Sequence, residues 1–379
     1  MAIRGIRMAE TKEALSTFWK GKRVLVTGHT GFKGSWLSLW LASLGAEVTG
    51  YALAEEGDPQ LFHASGVDRD VQSVISDIRN REHLASAITI AKPEIIFHLA
   101  AQPLVRQSYT NPVETYEINV LGTVNLLEAV RNAVAKGMRI RALINVTTDK
   151  CYENKEWEWG YRETDTLGGY DPYSSSKACS ELVTASYRRS FFSPASYPVH
   201  GLAIATARAG NVIGGGDASM DRLVPDCLRA FSNGQQVQIR SPRATRPWQH
   251  VLEPLSGYLI LAHRLFEAGP DYAQAWNFGP GVESVVSVEK LVHMLSLMWG
   301  NGAEYDLDAS LQPHEAHDLQ LDSSRARRML GWQPRWTVEK ALEKTVEWQR
   351  CWLNKGDVRE LCLKQIHDFI NHRELGGAV

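Results

Sequence analysis

Short apolar runs alternate with segments of helical periodicity through the first half of the chain. The apolar runs predict strands, and segments with an apolar residue every three or four positions predict helices. The predicted strands cover 23–28, 47–53, 71–76, 94–100 and 141–148, and the predicted helices cover 33–45, 81–91, 111–137 and a stretch that starts near Tyr173. Because the strands are apolar on both faces, the pattern predicts a parallel, doubly wound α/β sheet with its ligand at the carboxyl ends of the strands.

The second half of the chain predicts a smaller lobe. A strand at 200–214 leads into a glycine-rich loop, another sheet strand is predicted at 272–281, and the segments between and after them are rich in loops. We therefore expect a Rossmann-like sheet domain with a smaller C-terminal, substrate-binding lobe. The expected divisions are an N-terminal extension at 1–20, a mainly NAD-binding domain at 21–210, a mainly substrate-binding lobe at 211–350 with returning sheet segments near 247–280, and a helical tail at 351–379.

Composition excludes several classes of protein. The chain has 379 residues, 44% of them hydrophobic, and a formal net charge of -2, so neither nucleic acid nor an anionic membrane is expected as a partner. No window of 18 uninterrupted apolar residues and no signal-peptide pattern occurs. The five cysteines are widely spaced without a CxxC pair, which predicts free thiols in a reducing cytoplasm.

The stretch TGHTGFKG at 27–34 directly follows the first strand and opens the first helix. Gly28 permits a tight turn, Gly31 lets the backbone approach a diphosphate, and Gly34 lets the helix pack close to the sheet. The free N–H groups and the dipole of the helix N-terminus favour an anion at that point. The spacing and context together favour dinucleotide binding over an ordinary strand–helix turn.

NAD is the favoured dinucleotide, although the second strand does not end in the acid that usually accepts from the ribose 2′-OH. Tyr51, Ala52 and Leu53 stand there instead, and no arginine is present to hold a 2′-phosphate. Asp77, just after the third strand, has two readings: it accepts from an adenine amino group, or it caps a helix.

Tyr173 and Lys177 are four residues apart at the start of a helix and so share one face. A phenol has a pKa near 10, and a neighbouring ammonium and a nicotinamide cation would both lower it. Tyr173 is then expected to take a hydroxyl proton while hydride leaves the same carbon, with Thr148 bonded to the same oxygen.

The segment TTDKCY at 147–152 places an acid and a base, Asp149 and Lys150, where a buried strand is predicted to end. Adjacent charges at such a point often mark only a solvated turn. Here they follow a sheet strand upstream of Tyr173, so they are candidates for the acid–base end of an active site.

With the segments HLAAQP at 98–103, EINVLGT around Asn119 and RAGNVIG at 208–214, these motifs resemble the extended short-chain dehydrogenase/reductase superfamily. Thr148-Asp149 is similar to the motif of nucleotide-sugar 4,6-dehydratases, which usually continues with Glu. This chain has Lys150 instead, and in that respect, as in TDKCYENKEW, it resembles the branch of the family that acts on CDP-glucose.

The resemblance implies a reaction sequence on a nucleotide hexose. Tyr173 removes the 4-OH proton as C4 hydride passes to NAD, and the 4-keto group acidifies the C5 proton. Asp149 gives a proton to the departing 6-OH, hydride returns to C6, and no net NADH forms. The product is a 4-keto-6-deoxy sugar nucleotide, which leads towards deoxysugars such as those of lipopolysaccharide O-antigen.

Lys150 then has two possible roles. As the C5 base it needs a pKa well below its model value of 10.4, through burial and the nearby Lys177. Otherwise it stays charged and orients Asp149 or polarises the 6-OH, and the C5 base is unassigned.

The resemblance also implies ligand residues. Those implied for NAD are Gly28, His29, Thr30, Gly31, Phe32, Gly34, Asp77, Ile78, Leu99, Ala100, Ala101, Tyr173 and Lys177. Those implied for the nucleotide sugar are Gln102, Arg106, Ser108, Asn211, Arg246 and Asn277. No metal is expected, because His314 and His317 have only Glu315 and Asp318 as nearby extra ligands.

Two rival functions and one assembly remain to be considered. A nucleotide-sugar 4-epimerase needs Tyr173 and Lys177 but not Asp149, and a non-catalytic dinucleotide sensor can dispense with the Tyr–Lys pair.

The helices from Asn111 and Tyr173 are apolar on more than one face, and relatives pair such helices, so at least a homodimer is expected.

Overall fold

A seven-stranded parallel sheet forms the centre of the computed structural model, which describes residues 16–57, 59–300, 303–307 and 318–372. The strand order is β10-β6-β5-β4-β1-β2-β3. The strands are β1 (Arg23–Thr27), β2 (Glu47–Ala52), β3 (Gln72–Ile75), β4 (Ile95–His98), β5 (Ala142–Val146), β6 (Ala203–Ala209), β7 (Asn211–Ile213), β8 (Val237–Ile239), β9 (Thr245–His250), β10 (Ala275–Phe278), β11 (Val285–Ser287) and β12 (Tyr305–Leu307). The order reverses between β1 and β4, so the predicted doubly wound, Rossmann-like fold is confirmed.

Helices cover both faces of this sheet and complete the second lobe. They are α1 (Phe32–Ser43), α2 (Leu61–Ala64), α3 (Arg81–Ala91), α4 (Val105–Thr110), α5 (Pro112–Tyr116), α6 (Gly122–Ala135), α7 (Pro172–Ser190), α8 (Tyr197–His200), α9 (Leu223–Ser232), α10 (Leu252–Ala268), α11 (Val288–Trp299), α12 (Val338–Leu353) and α13 (Val358–Asn371). The helix predicted from Asn111 is interrupted by a π-helical turn at Glu117–Leu121.

The central strands are buried on both sides because their alternate residues enter different cores. Val24 and Val26 of β1 belong to one apolar cluster, whereas Leu25 belongs to the cluster on the opposite face. The same alternation holds in β4, where Ile96 faces away from its two neighbours. A strand apolar on both faces requires helices on both faces, which is why the sequence pattern predicts the fold.

The smaller lobe has its own core around the sheet β11-β9-β7 and the strand pair β12-β8. Between β9 and β11 the chain returns to the large domain, where α10 packs into the main core and β10 pairs with β6. The segments of the two lobes therefore alternate along the chain.

Both ends of the described chain are docked more firmly than the sequence suggests. Trp19 lies within the N-terminal extension expected at 1–20, yet it is fully buried and lies against Phe97. At the other end, Phe369 packs on Trp40 and Trp336. Across the described ranges, the helices are too short or too polar to cross a membrane.

Candidate active site

A cavity of about 320 Å³ opens at the carboxyl ends of the central strands, between the two lobes. Thr148, Asp149, Lys150 and Tyr173 line it from the sheet domain. The opposite wall comes from the segment after β7, from α9 and from β8 and β9 of the smaller lobe. The cavity lies where a doubly wound sheet is expected to bind its ligand.

The loop between β1 and α1 has the close approaches that only glycine permits. Gly28 has φ of 77°, and a Cβ there would lie 2.7 Å from the backbone nitrogen of Ala100. A Cβ on Gly34 would overlap the carbonyl oxygen of Gly28. Helix α1 begins at Phe32, so the loop directs a helix N-terminus at the space above it, as a diphosphate requires.

The neighbouring HLAAQP segment is held against this loop by Thr27. Its side-chain oxygen accepts hydrogen bonds from the backbone N–H groups of Leu99 and Ala100, both at 3.2 Å. Ala101 follows in the same segment and is half-buried. The implied cofactor contacts of these three residues therefore fall on backbone that borders the glycine loop.

His29 and Thr30 direct their side chains into the protein. His29 Nε2 lies 2.7 Å from Ser73 Oγ, and burial lowers the pKa of this histidine to about 4. The Thr30 hydroxyl donates to the carbonyl of Leu53 at 2.9 Å. Any contact of these two residues with a dinucleotide is expected through their backbone.

Asp77 does not cap a helix, because Asn80 is the residue whose side chain accepts from the first turn of α3. Asp77 instead accepts from the side chain of Arg79, with one contact of 2.7 Å, which lowers the pKa of the carboxyl. Ile78 is buried against Gly122. The adenine contact of Asp77 stays a prediction.

Thr148 links the two halves of the catalytic group. Its hydroxyl donates to Asp149 Oδ1 at 2.9 Å, and Thr148 also opposes the rise in the pKa of the nearby Tyr173 phenol. The Thr148 side chain accepts from the backbone N–H of Lys150, at the start of a short 3₁₀ turn over Asp149–Cys151. The strand end predicted at TTDKCY thus brings Asp149 and Tyr173 to one point.

Burial sets the protonation of these groups. It raises the pKa of Asp149, whose Oδ2 has no hydrogen-bond partner within the described part of the chain. Burial also raises the pKa of Tyr173 to about 12, against the opposing effects of Arg222 and Thr148. Burial therefore outweighs the lowering of this pKa that neighbouring positive charge is predicted to cause.

Lys177 and Lys150 lie in different surroundings. Lys177 is buried, its Nζ donates to the Val146 carbonyl at 3.4 Å, and burial lowers its pKa to about 8. Lys150 is only half-buried at the cavity wall. The full burial on which its role as a base would depend is therefore absent, and both of its possible roles remain.

Three of the residues implied for the nucleotide sugar lie off the cavity. Asn277 is completely buried, accepts from the Tyr152 hydroxyl at 2.8 Å and donates to the carbonyl of Tyr161. The side chain of Gln102 forms hydrogen bonds with Leu104 and Thr115. Both amides are already saturated by the protein, so a contact of either with the sugar nucleotide stays a prediction.

Ser108 is the third residue that lies off the cavity. It is fully buried, donates to the Val105 carbonyl at 2.6 Å and accepts from the backbone N–H of Tyr173 at 3.1 Å. Its position therefore supports the start of α7 rather than a sugar. Arg106, Asn211 and Arg246, by contrast, do line the cavity.

The sequence analysis missed several charged residues of the cavity. Lys33 belongs to the phosphate-loop motif itself, and burial together with Arg222 lowers its pKa to about 8. Arg222 lies at the cavity beside Asp217, with 3.0 Å between guanidinium and carboxylate, and Arg240 lies nearby. Lys33 could have been identified from its place in the phosphate-loop motif. The sequence of the smaller lobe, by contrast, contains no motif that identifies Arg222 or Arg240.

No group of three or more metal-ligating side chains occurs in residues 16–57, 59–300, 303–307 and 318–372. His314 and His317 lie outside those described residues. The cysteines at positions 151, 179, 227, 351 and 362 are all free thiols.

The sequence profile described as GDP-mannose 4,6 dehydratase matches residues 25–345. The CDP-glucose 4,6-dehydratase of Salmonella typhimurium is 52% identical over 354 residues, which span 93% of this chain and 98% of that protein. The UDP-glucose 4-epimerase of Mycolicibacterium smegmatis is 29% identical, over 86% of this chain and 98% of its own length.

Solved structures share the fold at lower identity. The dTDP-glucose 4,6-dehydratase of Streptomyces venezuelae, solved with NAD bound, superposes with a TM-score of 0.73 at 24% identity, covering 88% of this chain and 99% of that one. Fold and site together define an extended short-chain dehydrogenase/reductase. Within that superfamily, the chain belongs to the GDP-mannose 4,6 dehydratase family.

Proposed function

We propose that the protein is a hydro-lyase that converts CDP-D-glucose to CDP-4-keto-6-deoxy-D-glucose with NAD as cofactor. The observation that carries this proposal is Asp149, a buried carboxyl with a raised pKa and an unpaired oxygen, hydrogen-bonded to Thr148 beside Tyr173. The 52% identity with a CDP-glucose 4,6-dehydratase supports the same reaction and the same substrate.

NAD fits the residues at the phosphate loop. Glycine at positions 28 and 34 lets the loop pack tightly against the backbone of Ala100 and of Gly28 itself, and the N-terminus of α1 follows directly after this loop, where a diphosphate is expected. Tyr173 and Lys177 stand on the same side of the sheet, at the edge where the nicotinamide end is expected. When bound, NAD supplies the hydride acceptor and donor for the redox steps.

Tyr173 is the group proposed to accept the proton of the substrate 4-OH. Burial holds the phenol neutral in the cofactor-free cleft, since its pKa is raised to about 12. Positive charge is therefore needed to form a phenolate at neutral pH, and Lys177 and a nicotinamide cation are its proposed sources. Thr148 also lowers the pKa of the phenol, against the larger effect of burial.

Asp149 favours dehydration over epimerisation. A leaving hydroxyl needs a proton, and a carboxyl with a raised pKa keeps its proton to a higher pH than an ordinary aspartate does. A 4-epimerase would gain nothing from such an acid. For the C5 proton we keep both roles of Lys150 open, because the residue is at the cavity but only half-buried.

The sugar diphosphate is proposed to lie on the cationic wall formed by Arg222, Arg240 and Arg246. All three line the cavity, and Arg246 is buried there and donates to the Thr245 carbonyl at 2.7 Å. Guanidinium groups bind phosphate oxygens with fixed geometry, so they orient the hexose towards Tyr173.

One assay separates this proposal from its rivals. Incubation with CDP-glucose and NAD should give a 4-keto-6-deoxy product, detected by its absorbance in alkali. An epimerase would give CDP-galactose, and a non-catalytic sensor would leave the sugar unchanged. A panel of dTDP-, GDP- and UDP-glucose and GDP-mannose tests the preference for cytidine.

The protein is also proposed to work as a homodimer in a reducing cytoplasm. Val113 of α5 and Leu182 of α7 expose 71% and 58% of their surface, and Tyr116 and Leu121 extend the same apolar region. Pairing of these helices with a second copy would bury that surface. Sedimentation of wild type and Leu182→Glu tests this, because the variant should shift the equilibrium towards monomer.

A further inference from the structure

Helix α7 presents an unusual buried face. Its buried residues beyond Tyr173 are mainly small or charged, among them Ser176, Lys177, Ser180 and Glu181. A face without large apolar side chains gains little from hydrophobic packing. The position of the helix along its axis therefore depends on its hydrogen bonds and ion pair.

Glu181 makes the charged contact of this face. The residue stands four positions beyond Lys177, which itself stands four beyond Tyr173, so all three share one side of α7. Glu181 forms a two-pronged pair with Arg208 of β6, with Nε at 2.9 Å from one oxygen and the terminal nitrogen at 2.8 Å from the other. Both side chains are almost completely buried, at 3% and 4% exposure.

The pair reaches the catalytic segment from two sides. The Thr147 hydroxyl donates to Glu181 Oε1 at 2.5 Å, immediately before Thr148 and Asp149. Arg208 donates to the Tyr152 hydroxyl at 2.7 Å, two residues after Lys150. The segment that carries the proposed acid and base is thus bracketed by two bonds to one buried ion pair.

Every polar atom of the Glu181 carboxylate is used. One oxygen accepts from Thr147 and Arg208, and the other accepts from Arg208 and from Thr206 at 2.7 Å. Although burial raises the pKa of Glu181, Arg208 and the hydroxyl donors outweigh it and hold the pKa below its usual value. A buried ion pair is weak evidence for stability, and fixing of one arrangement is a better-attested use of such pairs.

We propose that Glu181 and Arg208 are positioning residues, which hold the segment 147–152 in register with the helix that carries Tyr173 and Lys177. The inference rests on the proposed function for its activity readout. Its consequence is that the distance between Asp149 and Tyr173 is set by a pair that touches neither substrate nor cofactor.

The test compares variants that remove one link each. Thr147→Val removes the hydroxyl that donates to Glu181, and Tyr152→Phe removes the hydroxyl that accepts from Arg208 and donates to Asn277. Thr345→Val is the matched control, because Thr345 is a fully buried threonine whose hydroxyl donates to Ala341 within α12. Thermal unfolding and steady-state kinetics with CDP-glucose are measured for all of them.

We expect Thr147→Val and Tyr152→Phe to lower kcat by about ten- to a hundredfold, because misplacement of about 1 Å in a catalytic group costs on this order. KM should stay within about threefold of the wild-type value, since neither bond is made to substrate. Thr345→Val should lose similar thermal stability and keep wild-type kcat. If kcat of the two link variants matches that of the control, the pair is merely structural and the proposal is wrong.

Glu181→Gln tests the pH dependence of kcat, which a loss of stability alone would not change. Burial lowers the pKa of Lys177, and the Glu181 carboxylate opposes that effect. Removal of the negative charge should therefore lower the pKa of Lys177 further and shift the alkaline limb of the kcat profile to lower pH. An unshifted limb contradicts the electrostatic part of the proposal.

Crystal structures of wild type, Thr147→Val and Tyr152→Phe test the positioning role without relying on the proposed function. With α7 superposed, the Asp149 carboxyl should move by more than about 0.5 Å in each variant, the tolerance of a catalytic arrangement. An unmoved Asp149 overturns the inference, whatever the activity. An inactive wild type with displaced Asp149 in the variants would refute only the proposed substrate and reaction.

Discussion

The hydroxyl of Thr148 lies 2.9 Å from Oδ1 of Asp149 and donates to it, while Oδ2 of the same carboxyl has no partner in the part of the chain that the structure describes. One oxygen is held by the protein, and the other is buried without such a bond. Because burial raises the pKa of this carboxyl, the unpaired oxygen is the natural place for the proton. This arrangement is the basis of the dehydratase proposal.

Asp149→Asn should abolish dehydration and stabilise the fold. Loss of a general acid lowers turnover by roughly 10²- to 10⁴-fold. A carboxyl whose folded pKa is raised stabilises the protein below its unfolded pKa and loses that contribution as pH rises through the folded value. The asparagine does not titrate, so the variant does not lose stability in this way. Its melting temperature should be higher than that of wild type at pH 7, and the two melting temperatures should become similar at pH 4.

An equal melting-temperature difference at the two pH values would contradict the raised pKa of Asp149. Thr148→Val is a useful comparison, because it removes the bond to Oδ1 and leaves the carboxyl in place. It should lose activity without the stability gain at pH 7.

Lys150→Ala decides between the two roles of that lysine. If Lys150 is the C5 base, the variant should no longer exchange the C5 proton of the 4-keto intermediate with deuterium from the solvent. Lys155→Ala, which changes a largely exposed lysine paired with Glu153, is the control and should exchange as wild type. Normal exchange in Lys150→Ala would leave orientation of Asp149 as its role.

The pH profile should report Lys177. Its pKa is lowered to about 8 by burial, so the ammonium that supports phenolate formation at Tyr173 is lost as pH rises through that value. We expect kcat/KM to fall above about pH 8. Lys177→Arg, which keeps its charge at all accessible pH values, should lack this alkaline limb at whatever residual activity it has.

Substitutions of Asn277 and Arg246 should have different effects, although the sequence analysis implies both as ligands of the nucleotide sugar. Asn277→Ala removes the acceptor of the Tyr152 hydroxyl and one donor to each of the Tyr161 and Asp322 carbonyl groups, and each buried group left unsatisfied costs on the order of 1–3 kcal/mol. It should lower the melting temperature. Arg246→Ala should instead raise KM for the sugar nucleotide. A large KM effect in Asn277→Ala without loss of stability would restore its role as a ligand residue.

The fold was readable from the sequence because burial on both faces leaves a local signal. In β4 and β5 every residue is buried, and their apolar runs are short and uninterrupted. The phosphate loop was readable for a similar reason, since Gly28 and Gly34 are required by contacts within one strand–turn–helix unit.

The cavity walls were harder to predict because they combine distant segments. Asn277 and Gln102 carry amide groups suited to a ligand, yet the protein itself satisfies them across separations of up to 125 residues. Arg222 reaches the site only through the packing of the smaller lobe. The pKa of Tyr173 was misjudged because the neighbouring charges were visible in the sequence and the extent of burial was not.

The most direct test of the central claim follows the hydrogen at C4 of the substrate. CDP-glucose deuterated at C4 is incubated with the protein and NAD, and the product is examined by mass spectrometry and NMR. A dehydratase with Tyr173 and Asp149 in the proposed roles places the deuterium at C6 of a 4-keto-6-deoxy sugar, with no net NADH. Deuterium retained at C4 of CDP-galactose, or unchanged substrate, would contradict the account.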